Sequence, residues 1–237
     1  MCTVVIEVPG AASAEGAATR LLAVRDEDPE REWDPPGEWW PEAHPGVQGV
    51  RDRRAGGAWL AVSERQGRLA VILNRPEPVA QGRGPLASRG GIVLDSVASD
   101  SPYAVDDPPT ASFNLVEVRP EGAFVTAWDG SAVRRRRLAP GVHMIAHHEV
   151  DDPRTARITA WLPEFRALAG LPAPEWRRRW AEVLERSAEL SPADDRAIVR
   201  DNRAHGFPTV SLFACLAEVA RGAASLEPLG LRDPRIR

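Results

Sequence analysis

Short β-prone segments follow one another along most of this chain and are joined by turns rather than by helices, which leaves few architectures open. Residues 2–8 and 19–24 are rich in Val, Ile, Leu and Thr, and the small, turn-prone stretch 10–16 between them predicts two paired strands at the start. Residues 58–63 and 68–74 read as a hairpin around 64–67, and 88–97 as a short helix opened by Ser88. Residues 112–118, 123–128 and 132–138 read as a three-strand meander belonging to a second sheet, with Asp129-Gly130 supplying the tight turn, and 142–146 as a further strand. Helices are expected at 155–169 and 174–190; in the latter Trp176, Trp180, Val183 and Leu184 recur at i, i+4, i+7 and i+8 and make one apolar face. Ser191-Pro192-Ala193-Asp194 resembles a capped start for another helix reaching about residue 202, and 209–219 reads as a closing strand. Residues 28–46, dense in Pro and Trp, read as a long ordered loop. Strands with hairpin connections and a late block of helices predict a layered α+β architecture of mainly antiparallel sheets.

At 237 residues, without an internal repeat or a compositional break, one domain over 1–237 is expected. Hydrophobic residues at 43% and charged ones at 27% belong to a globular chain. No apolar run approaches the roughly 18 residues of a membrane span, and Glu7, Pro9 and Gly10 interrupt the apolar start before it could act as a signal, so the cytoplasm is the expected location. A net charge of -4 gives no reason to expect nucleic acid; all 30 positive side chains are Arg, a bias that weakens the meaning of any single one. No metal is expected, because His143, His147 and His148 lie on strand and loop, where that spacing shares no face.

Two cysteines, Cys2 and Cys215, build no disulfide framework and form no CxxC pair, so cysteine here is a question of reactivity. Cys2 follows the initiator Met, and a side chain this small permits Met removal, which would make cysteine the first residue. A terminal α-amine titrates near about pH 7.7–8.0 and can act as base for its own side chain, while a thiol of pKa about 8.5 supplies some thiolate at neutral pH. From position alone the plainer reading of Cys2 is a small hydrophobe in a buried first strand.

What shifts that reading is a set of short motifs in a fixed order. Met1-Cys2-Thr3 is followed by Ala23-Val24-Arg25-Asp26-Glu27, Gly49-Val50-Arg51-Asp52, Ala55-Gly56-Gly57-Ala58-Trp59-Leu60, Ala70-Val71-Ile72-Leu73-Asn74-Arg75, Ser88-Arg89-Gly90 and Phe113-Asn114-Leu115. On these residues the chain resembles the NRDE family, related to the transport and Golgi organisation protein 2 proteins, over about residues 1–150 and only loosely beyond. The resemblance implies a four-layer αββα sandwich similar to N-terminal cysteine hydrolases, which include penicillin and bile-salt amidases. It implies Cys2 as nucleophile, with Arg25 favouring the thiolate and Asp26 holding the α-amine, although an Arg-Asp pair at a strand end reads by itself as a surface pair. Asn74 would supply an oxyanion donor, or alternatively cap a strand-to-loop turn. Two departures stand out: Val24 replaces the family's Asn, and Ala146-His147 replaces a common Ser-Asn pair, which makes His147 a candidate acid, base or ligand.

The expected partner is a small amide or thioester, with acyl transfer through Cys2, and no cofactor. Trp39, Trp40 and Trp59 are candidates to wall an apolar pocket over Cys2, with Asn114 joining them as a ligand contact; the alternative is that the tryptophans cover a sheet edge. Arg134 to Arg137 read as a solvated strand edge, or as a grip on the phosphate of an acyl-CoA-like ligand. The resemblance also leaves open a non-catalytic carrier or chaperone for haem or an acyl-CoA or lipid-like ligand, since animal relatives are linked to haem handling and lipid metabolism. Oligomeric state is not legible.

Overall fold

The computed structural model describes residues 2–10, 17–79 and 84–229, so residues 11–16 of the expected first turn lie outside the described residues. In chain order the elements are β1 (Thr3–Val8), β2 (Thr19–Glu27), β3 (Trp33–Gly37), β4 (Val47–Asp52), β5 (Ala58–Ser63), β6 (Arg68–Asn74), α1 (Gly90–Ala98), β7 (Phe113–Arg119), β8 (Gly122–Trp128), β9 (Val133–Arg137), β10 (Gly141–Ile145), α2 (Ala156–Ala167), α3 (Glu175–Ala188), a 3-10 turn (Asn202–His205), β11 (Val210–Ala220) and β12 (Ala223–Pro228). The architecture is α+β with two antiparallel sheets, ordered β10-β1-β2-β11-β12 and β3-β4-β5-β6-β7-β8-β9. Contacts group the chain into two compact units, the first from Met1–Glu30, Pro140–Ala217 and Glu227–Arg237, the second from Arg31–Ala139 and Glu218–Leu226.

In the first unit β1 is hydrogen-bonded on both sides, pairing Val4 with Ile145 and Thr3 with Val24. Every residue of β1 is buried, so neither of its faces meets solvent, which is why its sequence is a nearly continuous apolar run rather than an alternation. Alternate residues Val5, Leu22, Val24, Val142, Met144 and Ala146 pack with α2 and α3 through Phe165, Trp176 and Trp180. The expected apolar face of α3 is this contact, and Trp180 makes edge-to-face ring contacts with Phe165 and Trp176 at 5.4 and 5.3 Å.

The second unit is a seven-strand meander in sequence order, so the predicted hairpin and the predicted three-strand meander share one sheet. The second sheet comes instead from the chain's first strands, joined by β10 and β11. Residues 28–46 are not all loop: β3 pairs Trp33 with Asp52 and Asp34 with Arg51. Pro35 and Pro36 hide this strand from a sequence reading, and they are tolerated because β3 is an edge, where a missing N–H breaks no ladder. The other edge is β9, whose four Arg are exposed, the charged edge the sequence suggested.

The helix expected from Ser191 to about residue 202 does not form. Backbone N–H groups there are taken by side chains from elsewhere, Ile198 donating to Ser187 Oγ at 2.6 Å and Arg200 to Ser211 Oγ at 2.8 Å, while Asp194 accepts from Arg196 N. The sequence reading also missed β4 and β12.

Several recurring motif residues have structural roles in the second unit. A Cβ on Gly57 would lie 2.5 Å from the carbonyl carbon of Gly90, and one on Gly90 would lie 2.8 Å from Gly57 Cα, so two glycines let α1 start against β5. Gly57→Ala should therefore cost about 1–3 kcal/mol through overpacking of backbone on backbone, read as a lowered urea midpoint at unchanged slope.

Candidate active site

Cys2 precedes β1, 6% exposed, and its thiol donates to the Asp26 carbonyl at 3.7 Å. The register Thr3↔Val24 carried one step back sets Cys2 level with Arg25, while β10 ends at Ile145 opposite Val4 and the chain bends from Ala146 on, so His147 follows β10 at the same end of β1. Cys2 thus stands just before the central strand, with Arg25 on the neighbouring strand and His147 just past the end of the other. Alternation puts Thr3 on the face turned to the helices, where Arg157 of α2 donates to Thr3 Oγ1 at 2.8 Å.

Arg25 and Asp26 are 2% and 5% exposed, so they are a buried pair rather than the surface pair that their position suggests. Arg25 Nη2 reaches Glu27 Oε2 at 3.3 Å. Asp26 accepts from Ser211 Oγ at 2.6 Å and from Asn202 Nδ2 at 3.2 Å. Asn202 accepts in turn from Arg200 Nε at 3.0 Å, and Arg200 is held by Asp195 at 2.9 Å. This chain of buried hydrogen bonds fixes the Asp26 carboxylate and leaves no rotamer freedom to its partners. Asn202 reaches it because the 3-10 turn ends on Gly206 at φ 81, folding the chain back so that Asn202 N donates to Thr209 O.

Charge is balanced with care. Burial pulls the Arg157 guanidinium down to about 10, against the attraction of Asp26, with Arg200 adding repulsion and Cys2 attraction. Burial pushes the Cys2 thiol up; the chain's positive amino terminus, then the hydrogen bond to the Asp26 backbone and Arg25, pull it down, the Asp26 charge pushes it up, and burial prevails. The resting side chain is therefore a neutral thiol, so the favouring of thiolate by Arg25 is outweighed by desolvation. Cys215, fully buried, is pushed up to about 12 by the same desolvation.

Burial, with help from Arg157 and His148, lowers His147 to about 3. Its imidazole is uncharged at neutral pH, which makes it a poor proton carrier and a good neutral hydrogen-bonding group. An unfolded His takes its proton near about pH 6.5 and the folded one only near 3, so acid between those values favours unfolding. Relative to His147→Asn, the unsubstituted protein should lose about 2 kcal/mol between neutrality and about pH 4.5, allowing for partial exposure of the ring; equal loss in both, in urea titrations at each pH, would refute this.

The remaining candidates belong to the second unit. Asn74 ends β6 with an exposed side chain. Asn114, 1% exposed, accepts from Arg75 Nη1 at 2.9 Å, joining two of the recurring motifs. Trp39 donates to Pro35 O at 2.8 Å under the Arg51 guanidinium, and Trp40 donates to Gly56 O at 2.7 Å; Trp59 is buried at the start of β5. Sequence reasoning missed Arg157, Arg200, Asn202 and Ser211. Only their burial marks them, and they lie 154 to 185 residues from the partners they hold in β1 and β2 or are one bond removed from them. Among the described residues no group of His, Cys, Asp and Glu could hold a metal ion, and no helix is long and apolar enough to cross a membrane.

Two antiparallel sheets with helices, and a cysteine heading a central strand, define a chain with the N-terminal-nucleophile hydrolase fold. The Caenorhabditis elegans ortholog of N-acylethanolamine-hydrolyzing acid amidase is similar to it over 91% of this chain and 92% of its own, with a TM-score of 0.57 and 11% identity. The family model for Transport and Golgi organisation 2 matches residues 1–168, and the chain belongs to that family. No curated protein sequence matches it.

Proposed function

We propose that Cys2, with its α-amine freed by removal of Met1, is the nucleophile of a hydrolase or acyltransferase acting on an amide or thioester. The observation that carries this reading is the buried Asp26 carboxylate, held by Ser211 and Asn202 beside the start of β1. A carboxylate that costly to bury has a use there: it orients the α-amine of Cys2 and stabilises the ammonium formed when that amine takes a proton. The neutral thiol fits the same scheme. The α-amine takes the Sγ proton as sulfur bonds to the acyl carbon, the carbonyl electron pair moves to oxygen, and collapse expels the amine or thiol with that proton. Water or a second acceptor then releases the acyl group. The amidase of shared fold, which hydrolyses N-acylethanolamines, supports the reaction type and not the substrate.

A second reading has its own support. Burial holds the Cys2 thiol neutral, as a site that only binds would also do, so a carrier of a haem-like or acyl-CoA-like ligand remains the alternative. Intact mass before and after limiting iodoacetamide separates the two, with Cys2→Ala and Cys215→Ala as controls. Loss of Met1 and rapid alkylation that vanishes only in Cys2→Ala is the expected result. Retained Met1, or sluggish labelling at both cysteines, sinks the acyl mechanism.

A further inference from the structure

His147 stands outside the hydrogen-bond network that fixes Asp26. Its Nδ1 is buried with no hydrogen-bond partner among the described residues, a state that ordinarily costs about 1–3 kcal/mol unless something claims the atom. The neighbouring ring is differently placed: His148 Nδ1 lies 3.2 Å from Thr155 Oγ1, with the two imidazoles 4.2 Å apart. One histidine of the pair is thus anchored to the segment leading into α2, and it props the other. β10 ends at Ile145 opposite Val4 and the chain bends from Ala146 on, so His147 lies just past the end of β10, on the side of β1 opposite β2 and at the end of β1 that Cys2 precedes. A buried ring nitrogen left unclaimed at that end of the strand is a hydrogen-bonding group available to an acyl group bonded to the Cys2 sulfur.

We propose that His147 donates the hydrogen bond that holds the carbonyl oxygen of an acyl group while Cys2 attacks it. This rests on the acyl reading above and assigns the oxyanion donor within it. The charge developing on that oxygen is accepted by a ring N–H that keeps its proton throughout: the thiol proton goes to the α-amine and on to the leaving group, so His147 gains and loses nothing. The cations Arg157 and Arg200 that disfavour its protonation also make its N–H a stronger donor. A fixed donor of this kind is worth a hundredfold or more in rate because it is already oriented when charge appears.

The test uses the full-length, Met1-processed protein with p-nitrophenyl butyrate, reading the turnover rate, the butyryl mass on Cys2, and separately the rate of Cys2 alkylation by iodoacetamide. His147→Ala and the space-filling His147→Phe should each lower kcat about 100-fold with KM little changed, and His147→Asn, which keeps an N–H, should recover most of it. Alkylation of Cys2, which forms no oxyanion, should be unchanged in all three. Full turnover in His147→Phe overturns the proposal, since packing alone would then suffice. So does alkylation that falls in step with turnover, which would place His147 on the thiol rather than the carbonyl. No butyryl adduct on the unsubstituted protein overturns the acyl reading itself, and this assignment with it.

Discussion

Asp26→Ala will destabilise the fold by about 3–5 kcal/mol and abolish acylation of Cys2. The carboxylate is 5% exposed, accepts from Ser211 Oγ and Asn202 Nδ2, and attracts the buried Arg157. Truncation takes the acceptor from Ser211 Oγ, leaves Asn202 Nδ2 with Thr209 Oγ1 alone, and removes the charge that balances the buried Arg157, which is the costly way to break a buried pair. Asp26→Asn keeps shape and one acceptor, so it should cost less than half as much, yet it removes the charge proposed above to orient an α-amine. Equilibrium urea unfolding and the mass of the acyl adduct together give two separable readings. If Asp26→Asn retains full acylation, the carboxylate is structural only. If Asp26→Ala unfolds at the same midpoint as the parent, the network around it carries no load.

How much of this was legible beforehand follows from how local each cause is. The strands β1, β2, β5, β6, β7 and β8 announce themselves because each is a run of apolar, β-branched residues ended by a turn, and the apolar face of α3 because tryptophans at helical spacing have little else to do. β3 was hidden by its own prolines, whose tolerance depends on its being an edge, a property of the sheet and not of the segment. The segment after α3 has a helix-start signature, and tertiary hydrogen bonds from Ser187 and Ser211 override it. A cap motif states a local preference worth about 1 kcal/mol, which two buried side-chain bonds can outweigh.

The candidate site divides the same way. Cys2, Arg25 and Asp26 were found because a motif near the start of the chain carries them, and the structure brings them together at one end of β1 and β2. Their supporting residues are on α2, in the turn before β11 and on β11 itself, where only folding makes them neighbours. His147 was suspect from its departure from a common Asn, but its uncharged state is a consequence of burial beside Arg157 that no local reading supplies. Motif recurrence alone would also mislead: Gly57 and Gly90 serve close packing, and Asn114 serves Arg75.

Arg157→Met should cost nearly as much as Asp26→Ala, about 3–5 kcal/mol, and for the reciprocal reason. Methionine fills the volume of the stem, so packing is largely kept, but Thr3 Oγ1 loses its donor and the Asp26 carboxylate loses its buried cation. The two losses can be told apart by repeating the substitution where Asp26 is already Asn. With no carboxylate to strand, Arg157→Met should then cost about 0.5–3 kcal/mol less than in the parent, a difference that is the coupling between the two residues. Equal costs in both backgrounds would mean that Arg157 stabilises through Thr3 alone, and the charge balance drawn around Cys2 would have to be redrawn. A coupling at the upper end would instead mark Arg157 as the counterweight that lets a carboxylate stay buried at the head of β1, positioned for an amine that exists only once Cys2 is the first residue.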